Sequence, residues 1–134
     1  MSLRYKSRII LGILSIDLHD METGYRIVVS DEGTIPSYVM YGPQQPIDVL
    51  TKISKKYLEI DPEWLDTRLL GVVNKDTDKG RELNLNYGVM IPSDIDLIQG
   101  RWVGISDYFQ SNRKNLSAIE TCNNIIQNMS LVVH

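Results

Sequence analysis

The chain has 134 residues, of which 43% are hydrophobic and 23% are charged, with a net charge of −3. This composition is that of an ordinary folded domain and excludes a disordered or fibrous protein. The pI near 5.3 argues against a nucleic-acid protein, although a local basic patch stays open. We expect residues 1–134 to form one domain.

Three further features bear on location and source. The longest apolar runs are far shorter than the roughly 20 residues that a membrane-spanning helix needs, so we expect no membrane association. The single cysteine, Cys122, excludes an intrachain disulfide, which makes a cytoplasmic location the default. The single alanine, Ala118, among many Ile and Asn residues is typical of an A+T-rich genome, as in a phage or a low-GC bacterium.

The first half of the chain predicts a hairpin, a strand and a helix. Residues 8–16 and 25–30 are β-rich runs on either side of a polar stretch, which predicts a long hairpin. Residues 35–41 predict a third strand, which Pro36 confines to an edge or a strand start. Residues 46–60 predict a helix because Leu50, Ile53, Tyr57 and Ile60 recur at helical spacing.

The second half predicts a short turn of helix, a second hairpin, a last strand and a C-terminal helix. The turn of helix is expected at residues 61–66, the hairpin at 68–73 and 82–91, and the strand at 101–105. Ser117 and Glu120 are spaced as a capping box for the last helix. Its expected apolar stripe comprises Leu116, Ile119, Cys122, Ile126 and Met129. This mixed order of elements predicts an α+β fold.

One segment, residues 42–64, carries a spaced set of five residues. They are Gly42, Asp48, Lys56, Leu58 and Trp64. Their spacing resembles the motif of the Nudix family, G-x(5)-E-x(7)-R-E-U-x-E-E-x-G-U, where U is a bulky apolar residue. The resemblance implies a Nudix-like mixed sheet with a Nudix-type helix and a C-terminal helix.

The segment departs from the motif in its catalytic part. Tyr57 stands where the motif has the glutamate after its arginine, Ile60 and Asp61 stand at its glutamate pair, and Glu63 replaces its late glycine. Nudix enzymes use several helix carboxylates to hold magnesium or manganese against a pyrophosphate. Lys56 cannot reproduce the arginine fork that orients a motif glutamate. We therefore expect a pseudoenzyme with a degenerate Nudix box and no bound cofactor.

The candidate site residues follow from the motif and from nearby acids and aromatics. The catalytic candidates are Asp48, Glu59, Asp61 and Glu63, and the metal-ligand candidates are Asp48 and Asp61. The ligand-binding candidates are Gly42, Lys56, Tyr57 and Trp102. If residues 57, 60 and 61 lie on one helix, they share a face, as a carboxylate cluster requires. Against this, Asp48 is also a typical first-turn acid, and Asp61 a typical cap.

Other side chains have a functional and a structural interpretation. The basic clusters at residues 4–8 and 52–56 can contact phosphate, but most such clusters are plain surface. Trp102, Tyr108 and Phe109 can stack on a nucleobase, although core packing is commoner. His19 is expected in a solvated turn, and Cys122 in the core.

Three functions stay open. The leading hypothesis is a Nudix-like domain that has lost normal hydrolase activity and binds a nucleotide-like ligand or a macromolecular partner. The second is a divergent hydrolase of nucleoside diphosphate derivatives that uses magnesium or manganese. The third is a structural or interaction subunit of a phage or bacterial assembly, with a homodimer through a sheet edge or the C-terminal helix.

Overall fold

The strands and helices follow one another in the order that the sequence predicts, with one additional short helix before the last. The computed structural model describes residues 5–16, 24–77, 80–92 and 94–133. The strands are β1 (Tyr5–Ile16), β2 (Tyr25–Val29), β3 (Ser37–Met40), β4 (Arg68–Thr77), β5 (Gly80–Met90) and β6 (Arg101–Gly104). The helices are α1 (Pro46–Tyr57), α2 (Ile105–Ser111) and α3 (Leu116–Val133), with a 3₁₀ helix at Pro62–Trp64.

The six strands form one mixed sheet in the order β4-β5-β1-β2-β6, and β3 pairs with β1 beside this path. β1 is the central strand because its 12 residues are long enough to pair with three others. β5 runs parallel to β1 along one edge, from residue 5 to residue 14. The other edge of β1 holds β3 antiparallel at residues 7–10 and β2 antiparallel at residues 14–16.

Helices cover both faces of the sheet. Successive side chains of β1 point to opposite faces, so apolar side chains of this strand need cover on both of them. Ile9, Leu11 and Ile13 pack into one core with buried residues of α1. Ile10 and Leu14 pack into a second core with residues of α2 and α3. The domain therefore has three layers, and we refer to the two sides of the sheet as the α1 face and the α3 face.

A pair of glycines lets α3 lie close to the sheet. Gly12 of β1 and Gly88 of β5 are register partners in the middle of the α3 face. A Cβ at Gly12 would lie 2.6 Å from Cγ2 of Ile125, and a Cβ at Gly88 would lie 2.6 Å from Met129. Such distances are too short for real contacts, so the missing side chains set the height of α3 above the strands.

The predicted α+β class and mixed sheet are confirmed, as are both hairpins and the third and sixth strands. Three details of the helices were wrong. α1 ends at Tyr57 and not at residue 60, and α2 was not predicted. α3 is capped by Asn115, whose Oδ1 accepts from the Ala118 N–H at 3.2 Å, and not by Ser117.

Two other predictions concern His19 and membrane-spanning helices. His19, which was expected in a solvated turn, lies outside the described residues. Within the described part of the chain, none of the helices is both long and apolar enough to cross a membrane.

Candidate ligand-binding site

α1 begins where the motif resemblance places it, and Asp48 serves its first turn. Pro46 occupies the first helical position, where a missing N–H costs nothing. The Asp48 Oδ2 accepts a hydrogen bond from the Gln45 N–H at 3.3 Å, and this carboxylate also favours the positive end of the helix dipole. Asp48 is therefore part of the helix start in this structure.

α1 ends one turn earlier than the motif resemblance implies. Leu58 turns to extended backbone, is 2% exposed and forms an isolated bridge with Leu97. The carbonyl of Tyr57 accepts from the Ile98 N–H at 2.8 Å, which fixes the departing chain. Leu58 is therefore held as extended backbone in the core, where its burial and these backbone bonds stabilise the end of α1.

The early end of α1 separates the three positions that were expected on one helix face. Residues 60 and 61 lie beyond the helix, so the shared face of residues 57, 60 and 61 was a wrong prediction. Asp61 caps the 3₁₀ helix instead, because its Oδ1 accepts from the Glu63 N–H at 3.0 Å. The alternative interpretation of Asp61 as a cap therefore accounts for its hydrogen bond from the Glu63 N–H.

These residues do not fit the magnesium or manganese that the motif resemblance implies. Asp48 lies in the first turn of α1 and Asp61 beyond its last, so the helix alone separates them by roughly 13 Å at its usual rise. Ligands of one magnesium ion lie about 2 Å from it. Glu59 and Glu63 are exposed, and no group of three or more acidic, His or Cys residues in the described chain can hold a metal.

Tyr57 fills the position of a motif glutamate with a buried ring. It is 6% exposed, and a Cβ at Gly100 would lie 3.3 Å from its ring carbons. Burial raises the pKa of the Tyr57 phenol, and the nearby carboxylates of Asp31 and Glu32 raise it further. The Lys56 ammonium lies 5.7 Å from the ring centroid, so Lys56 and Tyr57 meet as a cation–π pair.

A cavity of about 470 Å³ lies beside this pair, and we call it the box cavity. Its lining comprises Arg8, Ser30, Asp31, Glu32, Thr34, Pro36, Ser37, Lys56, Tyr57 and Gln99. Gly42 lies apart, in an exposed turn at φ +57°, and Trp102 packs in the core of the α1 face. The structure thus brings together two of the four predicted ligand-binding residues, Lys56 and Tyr57.

A second cavity, of about 390 Å³, lies on the α3 face, and we call it the α3-face cavity. Strands β1 and β5 form its floor, and the start of α3 forms a wall. Its lining comprises Arg8, Ile10, Thr34, Ile35, Ser37, Lys75, Glu82, Asn84, Tyr108, Asn112, Asn115, Ser117, Ala118 and Thr121. Arg8, Thr34 and Ser37 line both cavities, so the two adjoin.

An unpaired amide lies in the α3-face cavity. Asn84 is 5% exposed, and its buried Oδ1 accepts no hydrogen bond from the described residues. A buried polar atom without a partner is rare in native proteins, because it has lost its water and gained nothing. Asn86, two residues along β5, also has a buried Oδ1 without a partner among the described residues, but its Nδ2 donates to Asn124 Oδ1 at 2.9 Å and it does not line this cavity.

The charged groups of this cavity carry a small positive excess. The Arg8 guanidinium donates to the Glu82 carboxylate at 2.8 Å and to the Ser37 hydroxyl at 3.2 Å. Lys75 contacts the hydroxyl of Ser117 at the start of α3. Two cations and one anion therefore line a cavity in a chain whose net charge is −3.

Sequence reasoning found only part of this second site. It gave phosphate contact as one interpretation of the cluster that includes Arg8, and core packing as the commoner interpretation of Tyr108. Both residues line the cavity, and Tyr108 also packs in the core of the α3 face. Tyr108 is buried, which raises the pKa of its phenol to about 12. Sequence reasoning missed Asn84. A usable signal was present, because polar residues alternate with apolar ones along β5 although both faces of the sheet are covered.

Comparison with known proteins supports the fold. No protein-family model matches the sequence, and no curated protein matches it. Among solved structures, Ap4A hydrolase of C. elegans has a TM-score of 0.63 at 9% identity, covering 98% of this chain and 100% of that one. The dihydroneopterin triphosphate pyrophosphohydrolase of E. coli has a TM-score of 0.63 at 12% identity, covering 91% and 95%. The chain has a Nudix fold.

A third similar structure is the NUDIX domain of Shewanella oneidensis NrtR complexed with ADP ribose. Its TM-score is 0.59 at 10% identity, and the match covers 87% of this chain and 85% of that one. Because these matches span most of each chain, the Nudix fold includes the sheet and the helices on both of its faces. The fold expected from the motif resemblance is thereby confirmed.

Proposed function

We propose that this Nudix-fold domain binds a nucleotide-like ligand in the α3-face cavity and lacks metal-dependent Nudix hydrolysis. The observation that carries the proposal is the buried Oδ1 of Asn84, which has no partner in the described fold and lines the cavity. A ligand N–H or O–H at this point would satisfy it. A polar atom that is costly in the free protein becomes favourable in the complex.

The size and chemistry of the cavity support a ligand of this class. Its volume of about 390 Å³ falls within the range of small-molecule sites. Ile10, Ile35 and Ala118 supply an apolar side, while Asn112 and Asn115 supply polar groups for orientation. The similar structures carry the names of an Ap4A hydrolase, a dihydroneopterin triphosphate pyrophosphohydrolase and a domain complexed with ADP ribose. Each name contains a nucleotide or a nucleotide-like compound.

The proposed loss of hydrolysis rests on the two candidate metal ligands. Asp48 and Asp61 each accept a backbone hydrogen bond at a helix start, and they lie at opposite ends of α1. The divergent hydrolase needs at least one more carboxylate beside one of them. Glu59 and Glu63 do not complete a centre, because neither belongs to a group of three or more possible metal ligands among the described residues.

Calorimetric titration tests the proposal. ADP ribose, Ap4A and nucleoside 5′-monophosphates are titrated into the protein in EDTA and again in magnesium, and Asn84→Leu is the matched variant. We expect saturable binding of at least one compound, unchanged by EDTA and weakened about tenfold or more by the substitution. Magnesium alone should leave the melting temperature unchanged, because a metal that does not bind cannot stabilise the fold.

Two results would contradict the proposal. If no compound binds in either buffer, the α3-face cavity is not a nucleotide site. If binding requires magnesium and survives Asn84→Leu, the ligand lies at the Nudix box and not in the α3-face cavity.

A further inference from the structure

The start of α3 contributes an electropositive wall to the α3-face cavity. α3 is 18 residues long, and the N–H groups of its first turn carry the positive end of its dipole. The Asn115 side chain caps the Ala118 N–H. Ser117, Ala118 and Thr121, on the first two turns, all line the cavity. The positive end of the helix dipole and two hydroxyl donors therefore lie together at one end of it.

Lys75 brings a full positive charge to the same place. It lies on β4 opposite Glu82 of β5, yet the Glu82 carboxylate pairs with Arg8 at 2.8 Å. Lys75 instead contacts the Ser117 hydroxyl, and no carboxylate of the described residues is within 4.0 Å of its ammonium. An ammonium without a carboxylate beside a helix start has the chemistry of a phosphate site.

Asn84 points to a ligand independently of the helix start. Asn84 lines the same cavity and its buried Oδ1 needs a donor, whereas Lys75 and Ser117 offer donors to an anion. A free phosphate dianion satisfies the second requirement but gives Asn84 no good partner. A phosphate ester with N–H or O–H groups satisfies both.

We infer that the cavity takes a phosphomonoester, with its phosphate beside the contacting pair Lys75 and Ser117 at the start of α3 and a neutral donor group on Asn84. The inference rests on the proposed function in treating the cavity as a ligand site, and it assigns the phosphate to the α3 face. The phosphate then lies across the sheet from α1. Lys75, Ser117 and the helix dipole neutralise it, so a divalent metal is not needed.

Inorganic phosphate is the first probe, because it isolates the anion site from the rest of the ligand. Backbone amide shifts are followed in EDTA at low salt for the wild type, Lys75→Met and Lys52→Met. Lys52 is an exposed lysine of α1 and serves as the matched charge control. We expect saturable shifts at Ser117, Ala118 and Thr121 that Lys75→Met weakens about tenfold and Lys52→Met leaves unchanged.

The second probe separates the source of the phosphate. A nucleoside 5′-monophosphate, its parent nucleoside and a sugar phosphate are titrated by calorimetry. We expect the monophosphate to bind about tenfold more tightly than the nucleoside, and Lys75→Met to remove that difference without weakening nucleoside binding. If the sugar phosphate binds more tightly than the nucleotide, the ligand is a sugar phosphate, and the proposed anion site still stands.

The failures of the two proposals are distinguishable. Phosphate shifts at α3 with no binding of any nucleoside or nucleotide overturn the proposed function and leave the anion site. Nucleoside binding without any gain from the phosphate, or a gain that requires magnesium, overturns the anion site and leaves the proposed function. If Lys75→Met lowers the melting temperature and changes no binding, Lys75 only ties β4 to α3.

Discussion

Replacing Asn84 by leucine should stabilise the free protein, against the usual direction of core substitutions. The side chain is 5% exposed, and its Oδ1 is buried without a partner among the described residues. Leaving a buried acceptor unsatisfied costs about 1–3 kcal/mol, and an apolar side chain of similar size avoids that cost. We expect Asn84→Leu to raise the free energy of unfolding by about 1–2 kcal/mol in the absence of ligand.

This free-energy gain corresponds to a measurable change in melting temperature. The unfolding entropy of globular proteins, about 2.1 cal/mol/K per residue, scales to roughly 0.28 kcal/mol/K for this chain length. The variant should therefore melt about 4–7 °C above the wild type. Calorimetry measures this difference, as does urea unfolding if the dependence of the free energy on urea is the same for both proteins. The same variant should bind the ligand more weakly.

Asn86 provides the matched control for this prediction. It lies on the same face of β5, is 1% exposed and also has a buried Oδ1 without a partner among the described residues, but its Nδ2 donates to Asn124 Oδ1 at 2.9 Å. Asn86→Leu also removes a buried unpaired Oδ1, but it breaks that bond and leaves the Asn124 acceptor unpaired, so the two effects offset each other and stability should not rise. If Asn84→Leu does not raise stability either, Asn84 is satisfied within the fold, and its link to a ligand is refuted.

Two further predictions concern the packing of α3. Gly12→Ala should destabilise the protein by about 1–3 kcal/mol, because its Cβ would lie 2.6 Å from Ile125 Cγ2. Ile125→Leu removes that branch and should recover part of the loss in a double-mutant cycle. Additive losses would contradict the contact. Burial raises the pKa of the Cys122 and Tyr108 side chains to about 12, so the folded state keeps both protons at a pH where the unfolded chain loses them. The free energy of unfolding should therefore be intact below about pH 9 and fall as the pH rises towards 12. Cys122→Ala should reduce that alkaline loss, measured by urea unfolding, by about 1.4 kcal/mol per pH unit; an unchanged slope would contradict the burial of the thiol.

The sequence predicts the order and type of most elements because their signals are local. β-rich runs mark the first strands, and Pro46 with Asp48 marks the start of α1. The end of α1 is different, because Ile60 continues the helical spacing and favours a longer helix. The bridge from Leu58 to Leu97 decides the boundary, and that contact joins residues far apart in sequence.

The site was harder to predict than the fold for the same reason. The motif resemblance directs attention to residues 42–64, and two predicted ligand-binding residues from that segment do meet in the box cavity. The α3-face cavity depends on β4, β5 and α3 coming together in three dimensions. Nothing local in the sequence distinguishes Asn84 from Asn86, and only the packing shows that Asn84 lines the cavity whereas the Asn86 Nδ2 bonds Asn124.

Phosphate release from nucleoside diphosphate derivatives tests the central claim most directly: that this Nudix fold has no working metal centre at its box. The wild type and Asp48→Ala/Asp61→Ala are assayed side by side with magnesium and with manganese. We predict that the two proteins are equally inactive, because each aspartate serves a helix start and no described group of acids can hold a metal. Metal-dependent turnover by the wild type that the double variant abolishes would contradict the account and identify a divergent hydrolase.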